Sequence, residues 1–192
     1  MASKVRNLRI TQTKQFLINA FYNLASQKDF EKITIANITK EAQVNRATFY
    51  AHFNDKYDLI DYIMRDFASA SIESHTLDDM KFGEETIHQL IFAVYDFYQQ
   101  PNIECRSSYG KWALPQMKEK ILNELKCFLS KSLDHKYSDI EKDMFVPILA
   151  QIIHEGGLQL YLGKHTLKKE EVAKKIASFV VGGSQSFKGV LR

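Results

Sequence analysis

Apolar side chains recur at helical spacing almost from the start of the chain. Between about Thr11 and Ser26, Leu17, Ala20, Phe21 and Leu24 stand at i, i+3, i+4 and i+7, the stripe of an amphipathic helix. The polar string from Gln27 to Lys32, broken only by Phe30, interrupts it. A second, short pattern turns Ile35, Ile38 and Ala42 inward. Thr34 suits its N-cap, and Ile33 and Ile38 occupy the N′ and N4 positions of a hydrophobic staple. Asn45 repeats the device with Val44 and Phe49, which predicts a brief third helix over about Arg46 to His52. Asn54-Asp55 then caps a longer fourth helix with Leu59, Ile60, Ile63, Met64 and Phe67 inward.

Two helices this short do not persist alone and need the first segment to bury their apolar faces. Helix, short helix, turn near Gln43-Val44, short helix is the order of a helix-turn-helix. An ordinary helical hairpin inside a bundle fits the apolar pattern equally well. The contents of the third helix favour DNA. Arg46, Thr48, Tyr50 and His52 are interleaved with Phe49 and Phe53, which suit core anchors. In a major groove Arg pairs with guanine, Thr meets base edges or a thymine methyl, and Tyr or His reaches phosphates. Ala47 is small enough for close approach. The helix N-termini at Thr34 and at Asn54–Lys56 are phosphate seats, with Lys56 adding charge at the second.

Beyond Phe67 the pattern stays helical, with joints expected at Leu77–Gly83, Pro101–Gly110, Asp134–Ser138 and Gly163–Thr166. Ser138 and Glu141 form a capping box, Pro147 is expected to kink or restart its segment, and the last segment opens near Thr166 with Glu170 and Glu171 early. Tyr95, Tyr109, Trp112, Phe128 and His154 are candidates for a ligand pocket. Aromatics at helical spacing also read as core, and His88 and His154 also read as satisfied core histidines. His154-Glu155 lacks a second His at i+4, so a zincin site fails, and no nucleophile elbow or phosphate-binding loop is present. No enzyme, metal or cofactor is expected.

Composition sharpens the class. The chain has 192 residues with 8 Gly and 3 Pro, none of them before Gly83. That leaves little turn chemistry for β folds and implies an all-α protein. Charge is placed unevenly: the first 54 residues carry eight Lys/Arg against three Asp/Glu, while residues 67–192 carry sixteen of each. A basic front suits a polyanion. Cys105 and Cys127 form no metal or disulfide pattern, and no apolar run has the length of a membrane span. A cytoplasmic protein without membrane attachment is expected.

The residues Ile33-Thr34, Ile38, Ala42, Val44-Asn45-Arg46, Thr48-Phe49-Tyr50, His52-Phe53, Lys56 and Leu59-Ile60 together resemble the DNA-binding domain of the TetR family of bacterial transcriptional regulators. The resemblance covers about Thr11 to Phe67. One departure is Gln43, where the family often has Gly; Gln must there tolerate positive φ or the turn must adjust. The resemblance implies a helix-turn-helix domain over 1–67, including the start of a linking helix, and a helical effector-binding and dimerisation domain over 68–192. It implies that Thr34 and Lys56 hold phosphates and that Asn45, Arg46, Ala47, Thr48, Tyr50 and His52 face double-stranded DNA. Arg9 and Lys14 could reach flanking backbone. The stretch Gly156-Gly157-Leu158…Tyr161-Leu162-Gly163 is similar to one subgroup of the family, whose last two long helices dimerise. Gly156, Gly157, Leu160, Gly182 and Gly183 are accordingly dimer-interface candidates. The function so implied is a homodimeric repressor released from an inverted-repeat operator by a small molecule. A DNA-bound adaptor for a partner protein is the alternative; a helical enzyme would need an acid/base constellation that the sequence lacks.

Overall fold

Helix α1 (Ala2–Ala25) starts well before Thr11, since nothing upstream breaks a helix. The computed structural model describes residues 2–77, 80–99, 106–133, 137–163 and 167–186; the side chains of 2–11, 106–114 and 185–186 lie outside that description. A 3₁₀ turn at Phe30–Lys32 leads to α2 (Ile35–Glu41), α3 (Arg46–Tyr50) and α4 (Lys56–His75). There follow α5 (Glu84–Tyr98), α6 (Arg106–Ser132), α7 (Asp139–Leu162) and α8 (Lys169–Ser186). The described residues are all helix, turn and coil, as the scarcity of Gly and Pro required.

Two joints differ from expectation. The one at Pro101–Gly110 is shorter, because α6 already begins at Arg106 and takes in Gly110. Pro147 does not restart its segment; α7 runs through it, as α6 runs through Pro115. The residue at 147 is exposed, so water can satisfy the carbonyl that a proline leaves without its N–H.

The chain falls into two compact units. The first holds residues up to Met64 together with the α6 residues up to Gln116. Its core is the α1 stripe (Leu17, Ala20, Phe21, Leu24) with Ile33, Ile38, Phe49, Phe53, Leu59 and Ile60, all buried. The Ile33–Ile38 staple pair therefore points inward and sets the entry angle of α2, while of the Val44–Phe49 pair Phe49 is buried and Val44 is half-buried. The second unit holds Arg65 onward through α5, then α6 from Met117, α7 and α8. In it α5 packs along α7 and α8, which also pack on each other. Ile87, Leu90, Ile91, Val94 and Phe97 of α5 are wholly buried. The boundary at Met64/Arg65 lies inside α4, so one continuous helix carries residues of both units.

Gly157 explains the close approach of α5 and α7. A Cβ there would lie 2.5 Å from Val94 Cβ and 2.6 Å from the Ile91 carbonyl oxygen.

Candidate nucleic-acid interface

The recognition turn is built by three local devices. Thr34 caps α2: its Oγ1 accepts the Asn37 N–H at 3.2 Å, and its own N–H donates to Asn37 Oδ1 at 3.1 Å. Asn37 thus takes the place usually held by Glu or Gln in a capping box, and sequence reading missed it for that reason. At the C-terminus of α2 the Val44 N–H reaches Thr39 O at 3.0 Å and the Gln43 N–H reaches Lys40 O at 3.2 Å. These are the two bonds of a Schellman motif. The motif needs a left-handed residue at C′, and Gln43 supplies it with φ 55°. A non-Gly residue costs about 1 kcal/mol there, so Gln43 tolerates the positive φ and the turn keeps its shape. Asn45 then caps α3, accepting the Thr48 N–H at 2.7 Å and the Thr48 hydroxyl at 2.8 Å.

With Phe49 and Phe53 buried beneath it, α3 offers a short outward face. Asn45, Arg46, Ala47, Tyr50 and Ala51 are exposed, and Tyr50 is 51% exposed. Ala47, Tyr50 and Ala51 stand at i, i+3 and i+4 and form one surface of the helix. Ala51 was not singled out from sequence, although its spacing from Ala47 could have found it. Thr48 is half-buried and its proton is committed to Asn45; the Asn45 Nδ2 keeps both its donors free of any partner among the described residues.

Three expected contacts look different in structure. Lys56 does not extend its ammonium outward: Nζ donates to Ile33 O at 2.9 Å and Phe30 O at 3.1 Å, and sits 4.4 Å above the Phe30 ring. It closes the end of the 3₁₀ turn, and burial lowers its pKa. The Thr34 hydroxyl proton is likewise taken, by Asn37 Oδ1 at 2.9 Å. His52 is half-buried, and burial together with the Lys14 ammonium holds its pKa below the usual imidazole value. It is neutral near pH 7 and offers a hydrogen bond rather than a charge. Lys14 itself lies 4.4 Å above the Tyr62 ring, while the side chain of Arg9 lies outside the described residues.

Residues 17–63 match the family model described as bacterial regulatory proteins, tetR family. Over those residues the chain is similar to the TetR family. Over 162 residues it is 26% identical to YxbF of Bacillus subtilis (strain 168), described as an uncharacterized HTH-type transcriptional regulator; the match takes in 80% of this chain and 40% of that protein. The chain thus spans less than half the length of this relative. A TetR transcriptional regulator from Streptococcus agalactiae 2603V shares the fold with a TM-score of 0.58 at 24% identity, over 93% of this chain and 98% of that one. The dihydroxyacetone kinase operon activator DhaS does so with 0.57 at 18%, over 91% and 97%. FadR from Bacillus subtilis in complex with stearoyl-CoA does so with 0.51 at 14%, over 88% and 97%. No helix among the described residues is long and apolar enough to cross a membrane.

The ligand candidates have different partners among the described residues. The Tyr95 hydroxyl receives hydrogen bonds from Gln99 and Lys169. His154 is wholly buried, 2.8 Å from the Tyr98 hydroxyl. Burial raises the Tyr98 pKa, so the hydroxyl stays neutral and shares one hydrogen bond with His154 Nε2, while Nδ1 has no partner among the described residues. Phe128 lines a separate cleft with residues of α4. The side chains of Tyr109 and Trp112 lie outside the described residues. Of the dimer candidates, Gly156, Gly157 and Leu160 are buried within their own chain, where Gly156 meets Ile176 and Ile91. Their tightness serves α5–α7–α8 packing. Gly182 and Gly183 are exposed with open space around them.

Proposed function

We propose that the chain is a DNA-binding transcriptional repressor of the bacterial cytoplasm, acting as a homodimer on an inverted-repeat operator and released by a small-molecule effector. The observation that carries the reading is the exposed face of α3. It offers Asn45, Arg46, Ala47 and Tyr50 outward from a fully buried Phe49. An arginine and a free amide on a helix with small neighbours suit base edges in a major groove. Lys56, Thr34 and His52 support that face by positioning α2, α3 and α4.

The second copy of the chain fits the outer face of α7 and α8. Ile140, Met144 and Ile148 repeat at i, i+4 and i+8 on α7 and are exposed, and Phe179 of α8 is 71% exposed. Exposed apolar side chains repeated along one helix face suit an interaction surface, and a two-fold dimer presents two α3 helices to half-sites about 34–36 Å apart. The stearoyl-CoA in the FadR structure supports a small-molecule effector, because the shared fold there accommodates one.

The test is binding-site selection from random DNA followed by affinity measurement of Arg46→Ala. The expected outcome is an inverted repeat and a loss of about 1–3 kcal/mol confined to one position in each half-site. Selection that returns no repeat, or a loss equal on all sequences, overturns the reading of α3.

A further inference from the structure

We propose that the cleft between the C-terminal halves of α4 and α6 binds a small amphipathic cation. The inference rests on the reading of the chain as a ligand-responsive regulator and names the class of ligand. The cleft has a volume of about 510 Å³, within the range of small-molecule sites. Ser69, Ile72, Glu73 and Thr76 of α4 line it at i, i+3, i+4 and i+7. Glu124, Cys127, Phe128 and Lys131 of α6 line it at the same spacing. Two helix faces with that spacing ordinarily interlock through apolar side chains. Here each stripe has a single large apolar side chain, so the faces leave a space between them.

Its chemistry selects the ligand. Ile72 is buried at the floor, Phe128 is half-buried, and Leu77 at the edge is 69% exposed. An apolar body would cover Phe128 and Leu77. Two carboxylates line the cleft as well, Glu73 exposed and Glu124 half-buried. Glu73 accepts only the Ser69 hydroxyl, at 3.0 Å, and neither Glu73 nor Glu124 has a cationic partner among the described residues. Among the described residues Lys131 is the one cation lining the cleft, and it pairs with neither. A ligand with an ammonium group and an apolar tail satisfies both features. An anionic one would set its own charge beside two carboxylates.

The opposite face of α4 is fastened. The Ser71 hydroxyl donates to Ala93 O of α5 at 2.6 Å, and His75 Nε2 lies 3.0 Å from Asp96 Oδ2. The cleft therefore opens on the free side of a helix whose first residues, Lys56 to Met64, belong to the DNA-reading unit.

The test uses the full chain with Cys105→Ser, so that Cys127 in the cleft wall is the remaining thiol. Its alkylation by iodoacetamide is timed with octyltrimethylammonium, octyl glucoside or octanoate, each below its micelle concentration. The expected result is at least tenfold protection by the cation and little by the other two. Glu73→Gln with Glu124→Gln should remove that protection while the melting temperature stays the same. Equal protection by all three probes, no protection, or full protection in the double variant overturns the proposal. Operator affinity is measured alongside. Protection without release of DNA keeps the cleft and rejects effector release by it. Release by a metabolite that leaves Cys127 unprotected keeps effector release and rejects the cleft.

Discussion

Lys56 and His154 are residues whose chemistry is decided by partners far along the chain. Lys56 lies 23 residues from Ile33, whose carbonyl it holds. Nothing local in the sequence separates this arrangement from a lysine awaiting a phosphate. Lys56→Met is expected to lower the stability of the intact chain by about 1–3 kcal/mol in urea unfolding. The slope of log K against log salt for DNA binding should not change; a fall in slope of about 1 would mean a phosphate contact after all. His154 behaves as a buried neutral group. Burial, reinforced by Lys118 and opposed by Glu155, brings its pKa to about 4. The unfolded chain, near 6.5, takes up the proton first as pH falls. Stability from this group is therefore present above about pH 6.5 and is lost down to about pH 4, by up to about 3 kcal/mol. His154→Gln should remove most of that slope in unfolding midpoints compared between pH 7 and pH 4.5. A slope equal to that of the parent chain would place the sensitivity elsewhere.

Helix boundaries were legible wherever a cap acts within a few residues. Thr34, Asn45 and Ser138 cap the helices that their spacing announced, and Ser138 and Glu141 form the expected box. The start of α1 and the course of α7 through Pro147 were less legible. A helix needs no signal to extend through residues that do not break it, and an exposed proline is tolerated when packing on both sides holds the helix. The glycines show the same division. Their presence inside the last two helices pointed to close approach, but sequence could not say against what. Gly157→Ala should destabilise the chain by about 1–3 kcal/mol, because the new Cβ meets the α5 backbone. Gly183→Ala, in open space, should stabilise α8 by up to about 1 kcal/mol in the monomer. Thermal unfolding of the two variants side by side decides this, and equal effects would contradict the packing.

At the scale of the whole molecule, the proposed dimer is tested at the outer face of α7 and α8, where Phe179 is exposed. Phe179→Asp is expected to shift sedimentation toward the monomer and to weaken operator binding while leaving far-ultraviolet helicity unchanged; an intact dimer would direct attention to another surface. Tyr95 and His154 have different hydrogen-bond partners, since helical periodicity gives the inward direction but not the neighbour met there. The sequence by itself determined the all-α class, the caps and the Ile33–Ile38 staple of the helix-turn-helix, and which residues of α3 point away from Phe49, because those follow from interactions a few residues long. Only the tertiary structure decided that Lys56 faces carbonyls, that Gly157 lies against α5, that His154 is buried neutral beside Tyr98, and that an unfilled cleft opens along α4. Each depends on a partner brought near by packing, 23 residues away for Lys56 and 56 for the Tyr98–His154 pair.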